Sequence, residues 1–186
     1  MRIELAMDTT FPILKTPNLL LRQIRESDIH HILHGLSHPE VIKYYGVSFF
    51  SLEETKVQMD WYTNIEKEQT GIWWAICDHH DNYFYGAIGF NDIHPQHRRA
   101  EIGFWLLPGY WGKGYIPEAA SRICSYGFKE IGLHRIYAYV EKENDNSKSV
   151  LKKLQFMYEG TMNACELKNG TWIDLDIYAL LNNVEK

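Results

Sequence analysis

The stretch with the most chemical content is Leu107 to Ala120, LPGYWGKGYIPEAA, in which Gly109, Gly112 and Gly114 stand between an apolar run and an amphipathic run. Glycine has no Cβ, so successive backbone N–H groups can converge there. Amides turned inward at a helix entry, with the positive end of the helix dipole behind them, form a seat for phosphate, and Lys113 adds a charge. The chemistry implied is capture of a pyrophosphate-bearing cofactor. The spacing is G-x-x-G-x-G, so the dinucleotide fingerprint G-x-G-x-x-G fails, its third glycine falling on Pro117, and the phosphate loop G-x-x-x-x-G-K-[ST] fails as well. Turns and helix entries use glycine freely, so the loop alone leaves a structural reading open.

Other residues offer less. Glu101 is a carboxylate inside the otherwise apolar run RAEIGFWLL, and by type alone it is either a general base or an edge-strand charge facing solvent. Ser147 reads as a helix-start residue with Asn144 as its N-cap. His30, His31 and His34 recur at helical steps, but a zinc site needs further ligands that the sequence does not supply, and no metal is expected. Cys77, Cys124 and Cys165 are odd in number and widely separated, which fits neither a disulfide framework nor paired zinc spacing. Cys77 and Cys124 fall in apolar patterns that keep a thiol inert, so no cysteine nucleophile is expected, and a reducing cytoplasm is the expected compartment.

The elements that must hold these groups are legible from period. Asn18 to Arg25 reads as a first strand, and Ile29, Ile32, Leu33 and Leu36 as a helix stopped by Pro39. A short helix follows from Pro39 into Tyr44. Ser51 with Glu54 resembles a capping box opening a helix from about Leu52 to Lys67, with Val57, Trp61 and Ile65 on its apolar face. Three strands, Ile72 to Cys77, Tyr83 to Phe90 and Arg99 to Leu107, form an antiparallel meander, with a bulge expected at Gly86 or Gly89. The helix after the glycine loop carries a stripe from Ile116 to Ile131 and ends at Gly132. A strand from His134 to Glu141 then implies a right-handed parallel crossover. A short helix from Asn144 to Leu154 and a hairpin, Met157 to Leu167 with Gly170 to Leu181, complete the chain.

The whole has 186 residues, is 45% hydrophobic and 23% charged, and has a net charge of -5, which predicts one globular domain over residues 1–186. The acidic balance lacks the positive field of a nucleic-acid or anionic-membrane binder. Met1 to Asp8 does not read as a secretory signal, and no apolar run approaches the ~20 residues that span a bilayer.

EIGFWLLPGYWGKGYIPEAA and, downstream, ENDNSKSVLKKLQF resemble the GNAT acetyltransferases, specifically their RimJ/RimL branch. Glu101, Trp105, Leu106, Pro108, Tyr110 to Tyr115, Glu118 and Ala119 match one family pattern, and Asn144, Ser147, Val150, Lys153 and Phe156 a second. The family's glycine before that phenylalanine is Gln155 here, which accepts a positive φ less readily. The likeness covers roughly residues 17–184. It implies an α/β (α+β) GNAT acyl-CoA N-acyltransferase fold: a mixed, mostly antiparallel sheet of about seven strands, a parallel splayed pair of fourth and fifth strands, and helices on both faces.

It also implies acetyl-CoA as cosubstrate and no metal. The pantetheine arm is expected to pair with backbone groups of Trp105, Leu106 and Leu107, the pyrophosphate to sit on Trp111, Gly112, Lys113, Gly114 and Tyr115, and Asn144 and Ser147 to flank the arm, with Tyr110 holding the loop. Glu101 is the expected general base, and Ser147 is either the proton donor to the thiolate or only a helix-start residue. Tyr44, Tyr45, Trp61, Trp73, Trp74 and Asn91 are expected around the acceptor, although core packing explains most such aromatics. The expected partner is an amine acceptor, a ribosomal or other protein N-terminus foremost, with small amines such as polyamines or a non-catalytic coenzyme A module as alternatives. No direct nucleic acid and no membrane are expected, and a homodimer is left open.

Overall fold

The computed structural model describes residues 10–182; the segment Met1 to Asp8 and the last four residues lie outside the described residues. Its strands form one eight-stranded sheet of order β1-β2-β3-β4-β5-β6-β8-β7, made by β1 (Leu14–Lys15), β2 (Leu20–Gln23), β3 (Ile72–Cys77), β4 (Phe84–His94), β5 (Arg99–Leu106), β6 (Arg135–Glu141), β7 (Met157–Lys168) and β8 (Thr171–Leu181). All neighbours are antiparallel except β5 and β6. The helices are α1 (Ile29–Leu36), α2 (Pro39–Ile42), α3 (Leu52–Lys67), α4 (Tyr115–Tyr126) and α5 (Asp145–Lys153). The count exceeds the expected seven by β1, whose two residues are too few to show a period.

Alternation along β3, a strand buried on both faces, divides the core in two. Ile72, Trp74 and Ile76 pack with Ile123 of α4 and Leu151 of α5. Trp73, Ala75 and Cys77 pack with Ile32 and Leu36 of α1 and Tyr62 of α3. Helices therefore cover both faces, as the resemblance implied.

Local chemistry explains the element ends. The Ser51 side chain accepts from the Glu54 N–H at 3.1 Å, while the Glu54 carboxylate accepts from the Phe50 N–H at 2.8 Å, so the capping motif forms with its return bond one residue early. The stripe of α3 is rotated from expectation: Val57 is 66% exposed, and Thr55, Gln58 and Tyr62 face the sheet instead. The α4 helix opens at Gly114 (φ +80°) and runs into a π-turn, Gly127–Ile131, closed by Gly132 (φ +77°). β4 carries its bulge at Tyr85, beside Gly86, while Gly89 pairs regularly with Trp73. Gln155 adopts φ +65° and keeps the turn that glycine serves in the resembling family.

Candidate active site

β5 and β6 are paired only at Arg99↔Arg135, Ala100↔Ile136 and Glu101↔Tyr137, after which the two strands part. Beyond Glu101 one edge of β5 is open, and a cleft of about 640 Å³ passes between the strands. Val41, Tyr44 and Tyr45 wall it on the side of α1 to α3, Ile116, Ser147 and Val150 on the side of α4 and α5, with Phe104, Trp105 and Leu106 as the strand edge between them.

The peptide groups of that edge alternate. The Leu107 N–H donates to the Tyr85 carbonyl at 2.9 Å, and the Trp105 carbonyl is turned so far toward β4 that a Cβ on Gly86 would stand 2.2 Å from it. The peptide groups of Phe104 and Leu106 therefore face the open side. The Trp111 indole N–H confirms the direction for Leu106, donating to its carbonyl at 2.7 Å. Of the three residues expected to pair with a pantetheine arm, only Leu106 presents its amide and carbonyl outward; Trp105 and Leu107 spend theirs on β4, and Phe104 is the residue that sequence reasoning missed.

The glycine loop is held by stacked rings. Tyr85 lies between Tyr110, at 4.2 Å, and Tyr115, at 5.0 Å and almost parallel. Gly112 (φ +74°) and Gly114 (φ +80°) have nothing within 4 Å of where a Cβ would stand. No side chain caps α4, so its first amides remain available to a ligand. Gly112, Gly114, Trp111, Tyr110 and Tyr115 line the cleft, whereas Leu107 is core and Lys113 is exposed, its ammonium 5.1 Å from the Tyr110 ring. Glu118, part of the same motif, is a tie rather than a contact group: its carboxylate accepts from Thr16 Oγ1 at 2.5 Å and from the Asn18 N–H at 2.8 Å, fastening the N-terminal segment to α4. Across the cleft, Asn144 Oδ1 accepts from the Ser147 N–H at 3.1 Å, so Asn144 is the N-cap of α5 and also part of the wall, as is Ser147. Lys153 of the second family pattern shares that wall, together with Asn146 and Ser149, which the sequence did not single out.

Glu101 points to the α1–α3 face, where its strand neighbours Gly103 and Trp105 meet Trp73 and the core of that side. It forms no hydrogen bond or ion pair among the described residues. Burial, then the charges of Asp92 and Glu166, push its carboxyl up to about 7. Glu101 is not itself in the cleft wall; Tyr45, which is, feels its charge. Asn91 pairs across the strands with Glu101 and accepts from Trp73 Nε1 at 2.6 Å. Trp61 packs edge-on against Trp73 at 5.9 Å, behind the site rather than in it. Trp74 is a correction: alternation puts it on the opposite face, fully buried, its indole donating to the Pro12 carbonyl and its ring against Tyr126. Burial pushes the thiols of Cys77 and Cys124 up to about 12, which keeps both protonated at neutral pH.

A splayed parallel pair with an open strand edge, followed by a glycine loop at a helix entry, offers strand-type hydrogen bonds to an extended amide chain and free amides to an anionic group at its end. The acetyltransferase (GNAT) domain matches residues 18–157. The chain is 37% identical over 172 residues to the uncharacterized N-acetyltransferase YoaA of Bacillus subtilis, covering 92% of this chain and 97% of that one. It superposes on a GNAT-family acetyltransferase from Bacillus anthracis with a TM-score of 0.81 and 30% identity over 91% of this chain and 98% of that one. RimL, a ribosomal alpha-N-protein acetyltransferase solved with coenzyme A, shares the fold, with a TM-score of 0.83 at 22% identity over 91% of this chain and 98% of its own. The chain belongs to the GNAT family of N-acetyltransferases, enzymes that use acetyl-CoA.

Proposed function

We propose that the chain is a cytoplasmic, RimJ/RimL-like enzyme, its catalytic domain spanning about residues 17–184, that acetylates a protein or peptide N-terminal α-amine by direct attack. The observation that carries this reading is the cleft through the sheet, with the outward Leu106 amide on one side and the Glu101 carboxylate beyond Tyr45 on the other. The open edge at Leu106 pairs through its carbonyl with a pantetheine amide, and the amides of Trp111 to Tyr115 receive the pyrophosphate. Glu101 takes the proton of the acceptor ammonium, so that the amine nitrogen can bond to the thioester carbon. The Leu106 N–H donates to the oxygen on which negative charge develops; as the C–S bond breaks, the thiolate takes the Ser147 hydroxyl proton and Ser147 regains one from the newly acylated nitrogen.

The α-amine is favoured by proton affinity. A carboxylate with a pKa of about 7 is nearly matched to an α-ammonium of about 7.7 to 8.0, whereas a lysine-type ammonium of about 10.4 holds its proton some three orders of magnitude more tightly. A second reading has its own observation. The charges of Asp92 and Glu166 both act on Glu101, an acidic grouping that suits a polycation, and a spermidine N(1)-acetyltransferase of Escherichia coli is 36% identical over 77 residues, 41% of this chain and 41% of its own.

Thiol release from acetyl-CoA with a panel of N-terminal peptides, lysine derivatives and polyamines tests the acceptor. Peptides with free α-amines are expected to give the highest kcat/KM; a polyamine turning over faster than every peptide replaces the first reading with the second. For the loop, Gly112→Val is expected to raise the KM for acetyl-CoA about tenfold, because a β-branched residue resists positive φ and fills the cradle. Unchanged KM and unchanged coenzyme A affinity by calorimetry count against a pyrophosphate on these amides.

A further inference from the structure

Asp92 stands where a regular strand would not put it. The β4–β5 ladder runs in register through Asn91↔Glu101 and then slips before His94↔Arg99, and Asp92 lies in that slip with φ +48°. In an unbroken strand successive side chains alternate, so the neighbour of Asn91 would point to the face away from Glu101. A left-handed residue in a bulge re-aims its side chain and stores strain, a combination that clusters at functional sites. The new direction is fixed at its far end: Tyr137 Oη donates to Asp92 Oδ2 at 2.6 Å. Tyr137 is the β6 partner of Glu101 in the last registered pair before the strands part. Three residues from three strands thus meet at the fork of the splay.

We propose that Asp92 is a positioning residue for Glu101: the bulge turns its carboxylate to the Glu101 side and Tyr137 holds it there, so that a second carboxyl group stands at the fork beside the base. The inference rests on the reading of Glu101 as the base. The other ionisable groups that face Glu101 are Tyr137 from β6, Glu166 from β7 and Tyr45 from the α2–α3 connection; the guanidinium groups of Arg99 and Arg135 lie over the Tyr137 ring at 5.9 Å. Burial, with the Asp92 bond and the Asp92 and Glu101 charges behind it, raises the Tyr137 phenol far above its ordinary value, so it stays a donor at every working pH. The Asp92 charge is the largest influence on Glu101 after burial itself.

The test uses two variants that spare the fold. Asn tolerates the left-handed region as well as Asp, so Asp92→Asn removes charge and keeps the bulge; Tyr137→Phe removes only the hydroxyl. A carboxyl carbon NMR titration of the whole chain, with Glu101 assigned by its loss in Glu101→Gln, reads the effect directly. Asp92→Asn is expected to lower the Glu101 midpoint by about half to one pH unit, given the solvent exposure of Asp92, and Tyr137→Phe to move it the same way by less. The acid limb of kcat/KM moves down with the midpoint while the plateau falls about threefold, as a weaker base transfers protons more slowly. A Glu101 midpoint unmoved in Asp92→Asn overturns the proposal. A limb that persists unchanged in Glu101→Gln overturns the base reading instead, whatever the titration shows.

Discussion

Glu101→Gln lowers kcat at pH 7.5 by about two orders of magnitude, the ordinary yield of a positioned general base, and leaves the affinity for coenzyme A near that of the parent. The same substitution strengthens the fold. Glu101 has its folded pKa raised from 4.5 to about 7 by burial first and by Asp92 and Glu166 after it. A carboxyl raised on folding binds its proton more tightly in the native state, so between these two values stability falls as pH rises. Below pH ~4 both states are protonated and the variant gains nothing. Above pH 7 the native chain carries a partly buried charge that Gln does not, and the gain reaches on the order of 2 kcal/mol after allowance for partial exposure. Urea melts at pH 4 and pH 8, read beside initial rates, check both halves. A variant that loses rate without gaining stability at pH 8 shows a Glu101 that is hydrated and ordinary.

Arg22→Leu costs about 3 to 5 kcal/mol of unfolding free energy, the largest loss expected of any single exchange outside the apolar core. Arg22 and Asp28 are buried to 6% and 4% exposure and form a two-pronged pair, Nη1 to Oδ2 at 2.7 Å and Nη2 to Oδ1 at 2.9 Å. Arg22 Nε also donates to Asp81 at 2.6 Å, so one guanidinium on β2 joins the start of α1 to the β3–β4 turn. Leucine would leave the Asp28 carboxylate, among the described residues, with only the Arg25 N–H, at 2.7 Å. The double variant Arg22→Leu/Asp28→Leu recovers most of the loss, because the greater part is the cost of a lone buried charge. Burial pushes the Asp81 carboxyl up, but its bonds from Arg22 and Arg25 outweigh that and bring it below 3.8. Its share of stability is therefore present above the ordinary aspartate value and drains as pH falls through the lowered one; Arg22→Leu flattens that acid limb. Denaturant midpoints across pH 2 to 7 measure it, and a single variant within 1 kcal/mol of the parent contradicts the account.

The sequence carried the periodic parts of this molecule and lost the parts decided by distant chain. IWWAIC at Ile72–Cys77 is legible from its apolar run and the helix Leu52–Lys67 from its Ser51 cap, both local signals, whereas the face that the helix buries is not. The period ends the strand at Phe90, yet β4 continues through His94, because Asp92 in the left-handed region lets the ladder slip and resume. Trp73 and Trp74 cannot both face an acceptor, because alternation sends adjacent strand residues to opposite faces; Trp74 belongs to the core beneath α4. The glycine loop with Asn144 and Ser147 was legible as a motif, and these residues do line one cleft. The surroundings of Glu101 were not, since Asp92, Tyr137 and Glu166 come from three other strands and meet only through tertiary pairing.

The Trp111 indole on the Leu106 carbonyl sets the terms on which anything docks there. A carbonyl oxygen has two lone pairs, so a visiting amide shares this one with the indole and gains less from it than from a bare acceptor. The oxygen that the loop's own indole already engages therefore gives direction more than affinity to whatever lies along this edge.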